Sequence, residues 1–134
     1  MNEFGKIITL TRGDTLIQYI YLNKGTNLNP VRYILSGDDK LYIGIMEPNQ
    51  KFEDAIIKKV YTKDSEMTED GDLIITINSS DTENLISGLY YYAIKMQIAK
   101  ENYLPLVGYM ETVSLDQNSG IWTVVPNRKF LIID

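Results

Sequence analysis

The sequence predicts an all-β domain, and three observations carry that reading. Short stretches of alternating apolar and polar residues recur at intervals of roughly 8 to 15 residues, separated by turn residues, with no long helical pattern between them. Aromatic content is dominated by tyrosine, with ten Tyr against three Phe and one Trp, a residue type that favours strands and contact surfaces. At 134 residues the chain suits one domain, able to bury roughly two thirds of the surface its unfolded form exposes. A sandwich or small barrel is therefore expected over residues 1–134, rather than any α/β fold.

The first strand is expected from Lys6 to Thr11, closed by Arg12-Gly13-Asp14. A second runs from Thr15 to Leu22 with Leu16, Ile20 and Leu22 on one face, and Asn23 to Asn27 reads as a turn. Leu41, Ile43 and Ile45 alternate with Tyr42, Gly44 and Met46 until Glu47-Pro48-Asn49 ends the strand, because proline cannot donate to a ladder. Ala55 to Thr62 and Asp72 to Asn78 are the next strands, separated by an exposed polar turn at Asp64 to Gly71, with Leu73, Ile75 and Ile77 pointing inward.

Ser80 and Glu83 have capping-box spacing for a single helical turn. Leu89 to Ile98 is the most regular strand, with Tyr90, Tyr92, Ile94, Met96 and Ile98 on the core face. Pro105 to Leu115, a turn at Asp116 to Gly120, and Ile121 to Val125 read as an extra hairpin near the C-terminus. Beyond Pro126-Asn127, Arg128 to Ile133 reads as a closing strand.

Charge and composition narrow the function classes. Thirteen basic and 18 acidic residues give a net charge of −5, which disfavours a nucleic-acid partner. Lys58-Lys59 and Arg128-Lys129 read as solvated strand edges. With no cysteine and no histidine, the chain lacks disulfides, thiolate metal sites and the commonest general base and metal ligand. The start of the chain, Met1 to Lys6, has no charged region followed by an apolar one, and no apolar run approaches the length needed to span a bilayer. Synthesis in the cytoplasm without membrane contact is expected.

Carboxylates remain as candidate catalysts. Asp38-Asp39 and Glu53-Asp54 are adjacent pairs, and neighbours on a strand point to opposite faces, so neither pair converges on one bond. The cluster Asp64, Glu66, Glu69, Asp70 and Asp72 resembles a hard-cation site in composition. With Gly71 at the glycine position of an EF-hand loop, however, the closing acid would fall at Ile77. A solvated turn is the expectation, and no enzyme activity, metal or cofactor is expected.

Arg12-Gly13-Asp14 spells an integrin-type tripeptide and reads as a tight turn, and the sequon at Asn78-Ser79-Ser80 has no export signal to make use of it. Trp122 together with Tyr19, Tyr21, Tyr42, Tyr91 and Tyr109 is expected on outward strand faces. Tyr19, Tyr21, Tyr109 and Trp122 are the candidate interface residues, suited to burial by a protein partner or, alternatively, to a cell-wall glycan.

Leu73 to Ile77 followed by Ser87-Gly88-Leu89-Tyr90-Tyr91-Tyr92 resembles strands E and F of immunoglobulin-like domains, with Tyr90 at the place of a tyrosine corner and Tyr92 at that of the second cysteine. Gly88, Tyr90 and Tyr92 are thus the expected fold-defining residues. The order of Ile7 to Thr15, Asp81 to Leu85, Gly88 to Tyr92 and Thr123 to Phe130 further resembles the N-terminal immunoglobulin-like domain of phage baseplate upper proteins. The resemblance covers most of the chain, and departs from the pattern in about twenty extra residues around Glu101 to Gly120 and in lacking a long helical or receptor-binding segment after the last strand.

That resemblance implies an immunoglobulin-like antiparallel β-sandwich and a non-enzymatic structural or adaptor protein of a bacteriophage virion, in the tail or baseplate. Its implied partners are other virion proteins in a homo-oligomer or symmetric assembly, with the extra hairpin as a docking element.

Overall fold

The structure, a computed structural model, describes residues 6–20, 22–25, 30–97, 106–107, 114–116 and 121–134. Along the chain run β1 (Ile8–Thr11), β2 (Leu16–Ile20), β3 (Leu22–Gly25), β4 (Pro30–Tyr33), β5 (Lys40–Met46), β6 (Ile57–Tyr61) and β7 (Leu73–Ile77). A one-turn helix, α1 (Ser79–Thr82), precedes β8 (Gly88–Gln97), β9 (Leu106–Val107), β10 (Ser114–Asp116) and β11 (Ile121–Ile133). A 3-10 turn at Phe52–Asp54 lies between β5 and β6. The domain is all-β, as the alternation predicts.

The larger sheet has the order β1-β11-β8-β5-β6, with β10 paired to the first part of β11. Facing it is a two-stranded sheet of β2 and β7, in register from Leu16 opposite Ile77 to Ile20 opposite Leu73. A third, small sheet has the order β4-β3-β9.

One pairing departs from an antiparallel sandwich: β1 runs parallel to β11, from Ile8 opposite Phe130 to Thr11 opposite Ile133. The larger sheet is therefore mixed. A parallel neighbour needs a long connection, and here nearly the whole domain lies between the two strands.

The core follows the period-two pattern. Tyr90, Tyr92, Ile94 and Met96 of β8 are buried beside Leu41, Ile43 and Ile45 of β5, Ile8 and Leu10 of β1, and Phe130 and Ile132 of β11. Leu16 and Ile20 of β2 and Leu73, Ile75 and Ile77 of β7 join the same cluster. Each such side chain contributes roughly 1.5–3 kcal/mol when fully removed from water. Tyr92 and Phe130 meet edge to face, 6.2 Å between centroids and 77° between planes, the arrangement in which a ring's positive edge meets a negative face.

Several expectations are corrected. Asn23 to Gly25 belongs to a strand, not a turn, because β3 sits between β4 and β9 and their backbones satisfy its ladder whatever its side chains. Arg128–Ile133 is not a separate strand: β11 is continuous through Pro126, with register shifts between Thr123 and Val125 and between Val125 and Arg128. Proline has no N–H to give the ladder, and a bulge absorbs it while both flanks stay paired to β8.

The helical turn begins earlier than Ser80. Asn78 is the N-cap and Asp81 the reciprocating acid, accepting the Asn78 N–H at 2.8 Å. Strand β7 ends at Ile77, so the extended Asn78 is where the chain must change direction, and Lys59 holds Asp81 at 2.8 Å. The expected C-terminal hairpin is seen where it is described, with Ser114, Leu115 and Asp116 opposite Thr123, Trp122 and Ile121. Leu106 and Val107 pair with β3 instead, and Ile98, Pro105 and the turn at Gln117 to Gly120 lie outside the described residues.

Candidate functional site

The connection from α1 to β8 is fixed by local chemistry. Gly88 opens β8 at φ +152°, a conformation side-chain-bearing residues rarely adopt. The Tyr90 hydroxyl donates to the Ile86 carbonyl at 2.6 Å, and two residues on, the buried Tyr92 donates to the Lys6 carbonyl at 2.5 Å. Arg12 donates to the Leu85 carbonyl at 3.2 Å and pairs with Asp134 at 2.5 Å. The Gly13 N–H reaches the buried Thr82 hydroxyl at 3.0 Å, and Asp14 N–H closes a turn onto Thr11 at 2.9 Å. Arg12-Gly13-Asp14 is a structural turn whose arginine is engaged within the domain.

Of the expected interface residues, Tyr19 lies on the outer face of β2 and is 57% exposed, two residues from Ile17 at 53%. Their register partners on β7 are Ile74 and Thr76, so an apolar strip runs along the back of the two-stranded sheet. Tyr21 and Tyr109 lie outside the described residues, as does the side chain of Trp122, whose backbone pairs with Leu115 and Met96. Tyr42 and Tyr91 are half-buried on the outer face of the larger sheet.

On that outer face is a cavity of about 240 Å³ lined by Tyr42, Phe52, Glu53, Lys58, Lys95 and Ile121. The Phe52 ring forms its floor. A Cβ on Gly44 would stand 2.7 Å from the ring edge and 3.2 Å from the Ala55 methyl, so the aromatic ring lies on the sheet only because position 44 has no side chain. The Lys95 ammonium sits 4.7 Å and the Lys58 ammonium 5.5 Å from the ring centroid, both within cation–π range. Lys58 also donates to the Glu53 carbonyl at 3.3 Å. Of the cavity's lining residues, the sequence points only to Tyr42, as an outward aromatic. Its signal was the lone glycine inside an otherwise bulky strand, which marks a close approach.

Asp39 is buried and accepts from the Tyr33 hydroxyl at 2.5 Å and the Ser36 N–H at 3.0 Å, pinning the turn before β5. Glu53 and Asp54 sit in the 3-10 turn. The acidic segment after β6 is a backbone turn in which Thr68 N–H donates to the Asp72 carbonyl at 2.9 Å and Asp72 N–H to the Thr68 hydroxyl at 3.1 Å. Among the described residues, no group of three or more acidic side chains is arranged to hold a metal ion. At the end of β6, burial raises the pKa of Tyr61 above tyrosine's ordinary value, against a lowering by the Thr76 N–H that donates to its oxygen.

No model of a known protein family matches the chain, and neither a curated protein nor a solved structure does.

Proposed function

We propose that this chain is an immunoglobulin-like sandwich acting as a non-enzymatic structural or adaptor protein of a bacteriophage virion, in the tail or baseplate, through protein contacts. The observation that carries the fold part is the corner at β8. The Tyr90 hydroxyl bonds back to the Ile86 carbonyl two residues before a buried aromatic at Tyr92, as in a tyrosine corner ahead of the second core cysteine. The strand order supports it: β8 and β11 are neighbours in one sheet, and β2 pairs with β7 in another that shares its core, as strands B and E do.

The assembly part is supported by the exposed apolar strip of Ile17 and Tyr19 and, among the described residues, by open edges at β2 and β6, since an unpaired edge can accept a partner's strand. The viral setting is supported by the resemblance of Ile7 to Thr15, Asp81 to Leu85 and Gly88 to Tyr92 to baseplate upper proteins. Immunoglobulin-like sandwiches serve many roles, so function is argued from surfaces. The glycan alternative rests on Trp122 and Tyr109, whose side chains lie outside the described residues.

Antibody raised against the purified protein tests the setting. Labelling of density-purified phage particles at the tail tip or baseplate is the expected result. Protein confined to the soluble fraction of the lysate, with unlabelled particles, overturns the viral part.

A further inference from the structure

Two features on opposite stretches of the larger sheet complement one another. Ile86 is the most exposed large hydrophobic side chain among the described residues, at 79%. Such a side chain in an isolated loop would be of little note. Here its backbone is held from both sides: its carbonyl accepts the Tyr90 hydroxyl, and its neighbour Leu85 donates to Thr82 at 2.9 Å and accepts from Arg12. Ile86 is therefore a preorganised apolar knob that loses little freedom on burial. The exposed Glu47 lines the same shallow groove as Ile86, and the exposed Glu83 lies three residues before it.

The cavity over Phe52 has the opposite character. Its floor is an aromatic ring and its sides carry the Lys58 and Lys95 ammoniums against the single carboxylate of Glu53. Among the described residues neither ammonium forms an ion pair. At about 240 Å³ the cavity falls below the roughly 300–1,000 Å³ of small-molecule pockets and exceeds the roughly 150 Å³ that holds one benzene. That size suits one branched side chain with solvent.

We infer that the Ile86 knob of one copy docks into the Phe52–Lys58–Lys95 cavity of a second copy, making a head-to-tail contact. The inference rests on the assembly reading above and names the contact through which it operates. Charge selects the occupant: the acidic flanks of the knob, Glu47 and Glu83, meet the lysines at the rim. Within one chain the two features cannot meet. Gly88 to Lys95 alone spans roughly 24 Å of extended strand at about 3.4 Å per residue. A contact between two different patches closes into a ring or continues as a filament, according to the rotation between copies.

Mixing complementary variants tests this by sedimentation velocity. Wild-type protein is expected to self-associate with concentration, and to lose that association as salt rises from 0.05 to about 0.5 M, because the rim charges are screened. Ile86→Asp removes the knob and leaves the cavity, whereas Lys95→Glu spoils the cavity and leaves the knob, so each alone is monomeric. An equimolar mixture forms a 1:1 pair and nothing larger, since one competent knob meets one competent cavity. Lys95→Met with Lys58→Met is the second cavity variant, and circular dichroism of every variant matching wild type establishes folding. Wild-type protein that stays monomeric overturns the inference, as does an assembly unchanged by these substitutions, or a mixture with no pair. If the variants still enter phage particles as wild type does, the contact falls while the virion reading stands.

Discussion

Tyr90 illustrates how much of the domain's geometry hangs on single polar atoms. Its ring fills the core while its hydroxyl holds the Ile86 carbonyl, so Tyr90→Phe keeps the packing and removes one hydrogen bond. A loss of about 1 kcal/mol is expected, read as a lower urea midpoint with unchanged slope. Gly88→Ala places a Cβ on a backbone at φ +152° and is expected to cost about 1–3 kcal/mol, although no neighbouring atom lies within 4 Å of the new methyl. The penalty is backbone strain and not a clash, so Gly88→Ser should cost about as much in the same assay. Asp39→Ala leaves the Tyr33 hydroxyl and the Ser36 N–H without the acceptor they share, for about 2 kcal/mol or more, and Asp39→Asn should recover part of it. The sequence showed Tyr90, Tyr92 and Gly88 as a motif but gave no sign of Asp39. A carboxylate beside another in a polar stretch looks solvated until a tyrosine six residues upstream is seen to reach it.

The strands that the sequence disclosed are those with one face in the core. For β5, β7 and β8, alternation is a direct record of burial, and Leu41, Ile43, Ile45, Leu73, Ile75, Ile77, Tyr90, Tyr92, Ile94 and Met96 are all buried as the period requires. Strands β3 and β4 were illegible because their existence depends on backbone pairing with each other and with β9, which leaves no period in a segment such as Leu22-Asn23-Lys24-Gly25. The continuity of β11 was hidden by Pro126, whose meaning depends on whether the neighbouring strand tolerates a bulge. Gly44 signals a close approach on β5, but which segment makes it is a tertiary event: the turn that folds Phe52 back over the strand.

The junction of β6 and β7 also sets a pH dependence. Burial raises the pKa of Tyr61 in the folded state, so the native protein holds that proton more tightly than the unfolded chain does. Its contribution is complete below the unfolded tyrosine value of about 10 and is lost as pH rises through the higher folded value. Thermal melts should therefore fall more steeply above about pH 10 in wild type than in Tyr61→Phe. Parallel curves for the two proteins would contradict this assignment.

At the scale of the molecule, one cluster ties the larger sheet to the β2–β7 sheet, and Phe130 lies within it, fully buried and edge-on to Tyr92. Phe130→Ala is expected to destabilise by about 3–5 kcal/mol, a large share of the roughly 5–15 kcal/mol a domain possesses, and to lower the melting temperature accordingly. The same scale governs function. Of the described carboxylates, Asp81 caps a helix, Asp39 holds a turn and Asp134 pairs with Arg12. The described surface offers apolar side chains, open edges and a small cationic cavity, which the proposed assembly role would use. The measurement that tests this most directly is mass by light scattering on a size-exclusion column, for the protein alone and mixed with disrupted phage particles from its source. Elution within a larger complex of defined mass is the predicted result, whereas a monomer that passes those particles unchanged would contradict the assembly role.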